Sequence, residues 1–120
     1  MITELVFPYS TPSLNDTKGE HWRTKTRRRN KYEKRIWALT RNKHPGRVRV
    51  EIYRHCKRKY DHDNFVGGAK DLIDALKNQK VIVDDTEAII GKPHYEQITL
   101  IGRQPIMTVV RIIDLPEPEL

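Results

Sequence analysis

Residues 48–85 read VRVEIYRHCKRKYDHDNFVGGAKDLIDALKNQKVIVDD, and this stretch decides the fold. Val48, Val50 and Ile52 alternate with Arg49, Glu51 and Tyr53. A period of two with apolar residues on one side is the pattern of a half-buried strand. Arg54 to Tyr60 is basic and carries that strand out into a loop. Phe65, Ala69, Leu72, Ile73 and Leu76 then share one face of a helix over residues 64–78. Gly67 and Gly68 weaken its first turn, each by about 1 kcal/mol, so regular helix is expected only from Ala69. Val81-Ile82-Val83 reads as a short apolar strand, closed by Asp84-Asp85.

Working outward, residues 21–43 hold no proline or glycine. Tyr32, Ile36 and Leu39, with Trp37 or Thr40, recur at helical spacing, so a long helix is expected here, with an exposed basic first half. Pro45-Gly46 ends it. Leu5-Val6-Phe7 predicts a first strand stopped by Pro8, and residues 8–20 read as loop. Ala88 to Ile101 and Ile106 to Ile113 predict two further strands, and the tail from Pro116 reads as frayed. The order β-α-β-α-β-β-β predicts a single α+β domain over residues 1–120, a mixed sheet with helices packed on one face.

Composition narrows the class. The 120 residues suffice for one modest core, and 37% apolar residues argue against disorder. No apolar run is long enough for a membrane span, and Met1-Ile2-Thr3-Glu4 lacks the pattern of a secretory signal. Cys56 is the only cysteine, which excludes an internal disulfide and a thiolate zinc site within one chain. The expectation is a soluble cytoplasmic protein without a nucleotide cofactor. Cys56 itself reads as a small strand residue at the edge of the core.

Charge is divided rather than spread. Of the 23 Lys/Arg and 16 Asp/Glu, residues 18–59 hold 17 and 3, a balance of +14, and the remainder holds 6 and 13, a balance of −7. A basic surface for a polyanion beside an acidic cluster accounts for both halves. The basic part comprises Arg23, Lys25, Arg27, Arg28, Arg29 and Lys31, with a second run at Lys57, Arg58 and Lys59. Such side chains pair with phosphates and release counterions, so binding should weaken steeply with salt. Arg27-Arg28-Arg29 spans nearly a full helical turn, so not all three can face one groove. Trp22 and Tyr32 could stack on unpaired bases, although Tyr32 fits a core position better.

The acidic part is Asp61-His62-Asp63-Asn64, followed by Lys70 and by Asp84-Asp85. In extended backbone Asp61 and Asp63 would point to one side and His62 to the other. A helix hairpinning back into a neighbouring strand can bring Asp84-Asp85 near the first pair. Crowded carboxylates repel one another, and Mg²⁺, a hard cation that takes few carboxylates and keeps its waters, relieves that repulsion. It would polarise a phosphate and activate a bound water, while Lys70 would stabilise the charge that develops. Each piece alone has a plainer role. Asp63 or Asn64 would be a helix cap, Asp84-Asp85 a solvated turn, and Lys70 a surface residue paired with Asp74. His62 fits a supporting role better than direct ligation.

The set Asp61-x-Asp63-Asn64, Lys70-x-x-x-Asp74-Ala75-Leu76 and Val83-Asp84-Asp85 resembles the RusA-type Holliday junction resolvases, which are common in prophages. Pro12-Ser13-x-Asn15 and His21-Trp22 are similar to that family too, so the likeness runs along nearly the whole chain. The resemblance implies a homodimeric endonuclease of DNA recombination and repair, using Mg²⁺ or Mn²⁺ to make paired nicks in a four-way junction. It implies that Asp61, Asp63 and Asp85 are the essential carboxylates and metal ligands, with Asp84 as a secondary candidate and Lys70 as the functional lysine. The segment from Asn64 to Lys70 is longer than the family spacing and includes Gly67-Gly68, which would let backbone approach a phosphate closely. A C₂ dimer would supply two symmetric sites, and the strand near Ile106 to Ile113 could supply the interface. Competing readings are a non-catalytic basic DNA-binding module, a metal-dependent nuclease for flaps or other branched DNA, and a small ribosome-associated protein.

Overall fold

A computed structural model describes residues 1–116, and the chain beyond Pro116, where the frayed tail is expected, lies outside the described residues. The alternating stretch forms strand β2 (Val48–Cys56), whose Val48, Val50 and Ile52 are completely buried. That strand is central. It pairs antiparallel with β4 (Met107–Asp114) and parallel with β3 (His94–Thr99). On its far side β4 pairs antiparallel with β1 (Ile2–Phe7), giving the order β1-β4-β2-β3 in one mixed sheet. Leu5, Phe7, Val110 and Ile112 join the three β2 residues on one sheet face.

Helices cover that face. Helix α2 (Trp22–Leu39) contributes Tyr32 and Ile36, α3 (His62–Gly68) contributes Phe65, and α4 (Lys70–Asn78) contributes Leu72, Ile73 and Leu76. Full burial of each large side chain stabilises by about 1.5–3 kcal/mol. Short helical turns α1 (Leu14–Thr17) and α5 (Glu87–Ile90) complete the elements. The α+β class and the mixed sheet are those the sequence predicts.

Local details depart from the sequence pattern, each for a physical reason. Val81-Ile82-Val83 is not a strand. Lys80 turns the chain at a φ of 60°, Val81 and Ile82 plug the core, and the Val81 carbonyl accepts the His44 N–H (2.9 Å). Residues 88–101 are not one strand either. Gly91, at a φ of 60°, closes the helical turn α5 through its N–H to Glu87 O (2.9 Å). Residues 8–20 include the turn α1, capped by the Ser13 hydroxyl. The long helix ends at Leu39 because the Thr40 hydroxyl takes the Asn42 N–H (3.0 Å), a local bond that competes with helix. Regular helix begins at His62 rather than Ala69.

The two glycines explain that earlier start. A Cβ on Gly68 would sit 1.7 Å from the Pro12 carbonyl oxygen, and one on Gly67 would sit 2.6 Å from Leu14 Cδ2. The bare backbone of α3 is therefore the seat of the Pro12–Leu14 segment. The close approach at Gly68 is to protein, not to a phosphate.

Buried His44 staples the end of the sheet. Its Nε2 lies 2.8 Å from Thr3 Oγ1 and its Nδ1 lies 2.7 Å from Asp114 Oδ1, while Asn42 Nδ2 donates to Thr3 Oγ1 (3.0 Å). A neutral imidazole donating from Nδ1 satisfies every member. Asp114 also meets the N-terminal ammonium at 3.1 Å. Its carboxyl is held below the usual carboxylate range, first by the His44 bond and then by that ammonium.

Two outcomes follow from these contacts. Gly68→Ala should lower stability by about 1–3 kcal/mol or more despite alanine's better helix propensity, and Gly46→Ala, where the added methyl meets nothing, should not. Urea midpoints of the two variants check this. A depressed carboxyl stabilises above its unfolded pKa and loses that effect as pH falls through the folded value. Asp114→Asn should therefore melt below wild type at neutral pH, with the gap closing below about pH 4 in a series of melting curves.

Candidate functional site

Helices α3 and α4 form nearly one rod. Ala69 between them keeps right-handed helical angles (φ −87°, ψ −4°), its N–H reaches Phe65 O (3.1 Å), and its carbonyl accepts from Ile73 N (3.2 Å). Residues three and four apart then share a face. Asp63, Val66, Gly67, Lys70, Asp74 and Lys77 form one stripe along the rod.

The D-x-D segment is therefore not extended. Asp61 is the N-cap residue of α3 with an uncapping carboxylate, and Asp63 lies in the first helical turn. Both are exposed. The same-side argument from strand geometry fails here. What relates Asp63 to Lys70 is helical spacing, and the positive end of α3 favours a carboxylate at that position.

The opposite wall is the chain from Asp84 to Tyr95. Between the two runs a cavity of about 380 Å³, lined by Lys70, Asp74, Asp85, Glu87 and an apolar floor that includes Val66, Ile73 and Tyr95. Asp74 and Asp85 both line this cavity, near enough for the charge of one to act on the other. Burial first, and the Asp85 charge against the opposing pull of Lys70, push the Asp74 carboxyl up. Lys77 Nζ lies 3.1 Å from Asp84 and 3.6 Å from Asp85. That contact, with the Asp85 N–H donated to Asp84 Oδ1 (2.8 Å), holds the Asp84 carboxyl low.

Lys70 and Asp85 thus meet in one cavity, with Asp84 at its edge and Asp63 further up the stripe. Asp74 and Lys77 belong to the same cluster. Their spacing from Lys70, four and seven residues, is the signal that marks them. Among the described residues no three His, Cys, Asp or Glu side chains converge closely enough to hold a metal ion by themselves. The donor chemistry of Asp74 and Asp85 still suits Mg²⁺, which commonly takes one or two carboxylates and completes its shell with water and substrate phosphate.

The basic residues divide in two. Arg23, Lys25, Arg27 and Lys31 on α2 are exposed, as are Lys57, Arg58 and Lys59 ahead of Asp61, and Arg29 is half-buried. Arg28 is engaged with its own chain, 2.5 Å from Glu20 and 3.0 Å from Asp71. It fastens α2 to the start of α4. Trp22 and Trp37 are both exposed on α2, whereas Tyr32 is core.

Arg54 is a residue that the sequence pattern does not single out. It is 5% exposed and pairs with no carboxylate among the described residues. Its Nε donates to Ser10 Oγ (2.6 Å), its Nη1 to Arg58 O (3.0 Å) and Gln97 Oε1 (2.8 Å), and its guanidinium stacks 3.4 Å from the Tyr60 ring centre. Gln97 in turn clamps the Tyr60 backbone through both N–H and C=O (2.9 Å each). The network fixes the loop that delivers Asp61. Only a long planar donor reaching three acceptors does this, and alternation alone cannot flag it.

Thr3, His44 and Asp114 have the spacing of a hydroxyl–imidazole–carboxylate relay, but the Thr3 hydroxyl is buried in the sheet and accepts from Asn42. It cannot serve as a nucleophile. Among the described residues no helix is long and apolar enough to cross a membrane. The chain matches no known family model and no curated protein.

Arg54→Met should cost roughly 1–3 kcal/mol and free the loop before Asp61. Trypsin should then cut after Lys57, Arg58 or Lys59 faster than in wild type, under conditions where both remain folded. Arg54→Lys should restore little, because one ammonium cannot span Ser10, Arg58 and Gln97.

Proposed function

We propose that the chain is a Mg²⁺-dependent endonuclease that resolves four-way DNA junctions by paired nicks, acting as a homodimer. The observation that carries this reading is the cavity shared by Lys70, Asp74 and Asp85, set in a chain with a strongly basic helix. A binding module needs the helix and not the cavity.

The roles follow from position. Exposed cations of α2 and of residues 57–59 hold phosphates and set the register of the duplex arms. Asp85 and Asp74 would hold the metal, with Asp84 beside Asp85 and with Asp63, and Asp61 just ahead of it, as further carboxylates toward the start of α3. Bound Mg²⁺ supplies charge neutralisation at the phosphate and an acidified water. Lys70 makes no ion pair within 4.0 Å among the described residues, so its ammonium is available to the negative charge that grows on phosphate oxygens. Lys77 occupies Asp84 and Asp85 when no cation does. Two symmetric cuts require two sites, which a C₂ dimer supplies.

A non-catalytic DNA-binding module is the second reading, favoured by the lack of three converging ligands among the described residues. The deciding experiment is incubation of an end-labelled four-way junction with Mg²⁺, beside linear duplex and flap substrates. Paired symmetric nicks are expected on the junction. EDTA should remove them, and Asp63→Asn and Asp85→Asn should each slow them by more than about a hundredfold. Lys70→Ala should slow them by about 10²–10³ with junction affinity kept. Salt-sensitive binding without cleavage in Mg²⁺ or Mn²⁺ would establish the binding module instead, and equal cutting of all three substrates would remove the junction specificity.

A further inference from the structure

The cavity of Lys70 and Asp85 does not end at Tyr95. A second hollow of about 540 Å³ adjoins it, and Val66, Gly91, Pro93 and Tyr95 line both. The two form one groove between the α3–α4 rod and the Gly91–Tyr95 segment. Its two ends differ in charge. One end carries Asp74, Asp85 and Glu87 with Lys70, and the other carries His62, Lys92 and His94 with no carboxylate in its lining. Glu96 lies outside that lining, 3.7 Å from His94 Nε2.

The second hollow also contains a corner of rings. Tyr95 stands perpendicular to His62, at 88° with centroids 6.2 Å apart, and its other neighbour Phe65 locks it at 77° from 5.4 Å. Phe65 is core, so Tyr95 is held rather than free. A flat heteroaromatic entering this corner stacks on one ring and meets the edge of the other, the geometry that aromatic groups prefer. Val66 and Pro93 give it an apolar floor. Lys92 offers a charge to an attached phosphate. The volume lies within the range of small-ligand pockets, about 300–1,000 Å³.

We propose that this second hollow receives one unstacked nucleobase of branched DNA, next to the phosphate held at the acidic end. The inference rests on the nuclease reading for the identity of the ligand, and it assigns to this corner the preference for branched over linear DNA. A base in a continuous duplex must be unstacked and unpaired before it can enter. A base at a branch point has already lost part of that stacking. Stacking on the ring corner therefore rewards branched DNA without reading its sequence.

The test measures junction affinity in EDTA, so that neither metal binding nor cleavage enters. Single abasic sites are walked through the bases around the branch point. One position per symmetric strand should weaken wild-type binding by about tenfold, with other positions nearly neutral. Tyr95→Leu and His62→Ala should lose the same factor on the intact junction. On the junction lacking that base they should lose nothing more. His62 is exposed, so its variant tests the corner even where Tyr95→Leu disturbs Phe65. Uniform effects at all positions, or losses that add, overturn the base site, and wild-type nicking in Mg²⁺ would then leave the nuclease reading standing. The expected coupling without any nicking would keep the base site and overturn the nuclease reading alone.

Discussion

The tight seat of the bare backbone at Gly68 against the Pro12 carbonyl positions the α3–α4 rod and the groove beside it. No side chain of any size fits between them. This fixes α3 against the Pro12–Leu14 segment, and the near-continuous helical path through Ala69 passes that placement on to α4. Phe65, Leu72 and Leu76 then meet the buried face of β2, and the opposite stripe, with Lys70 and Asp74, faces Asp85. One constraint thus sets the depth of the core contact and the width of the groove together. It also accounts for glycines that cost helix stability where they stand.

Much of the fold was legible in the sequence because it obeys simple periods. The alternation at Val48–Tyr53 and the helical spacing at Tyr32–Ile36 and Leu72–Leu76 reflect burial on one side, which a pattern records directly. Elements that failed were set by single contacts instead. Val81 and Ile82 are apolar because they plug the core, while Val83 is exposed, and nothing in three apolar letters separates a plug from a strand. The turn Glu87–Ile90 depends on Gly91 at positive φ, which overrode two isoleucines. For the site, Lys70 and Asp85 were legible as chemistry that sits oddly on a bland surface. Asp61 and Asp63 were visible too, but their backbone was not, since α3 begins three residues before its first buried side chain. Arg54 and Gln97 were hidden because their value lies in distant partners.

Electrostatics separates the structural charges from the available ones. Arg28 belongs to the basic run but is committed to Glu20 and Asp71, and Arg54 is buried among neutral acceptors. Among the described residues the remaining exposed cations of α2 and residues 57–59 make no ion pair, although Lys31 lies 4.0 Å over the Tyr9 ring. Counting arginines in a helix overstates its reach toward a polyanion, and burial and pairing correct the count.

Lys77 has a consequence for how such a chain is made. Zinc fingers and similar domains leave their ligands in unrelieved repulsion until metal arrives, so folding and loading are one event. Here the acidic pair at Asp84-Asp85 carries its own counterion on a flexible tether, and Arg54, buried deep, organises the loop ahead of Asp61 without any ion. The fold then needs no ion to relieve the repulsion within that pair. If the site takes a divalent cation as proposed, the ion displaces an ammonium from a scaffold already folded, and its loss returns the carboxylates to Lys77 rather than to mutual repulsion.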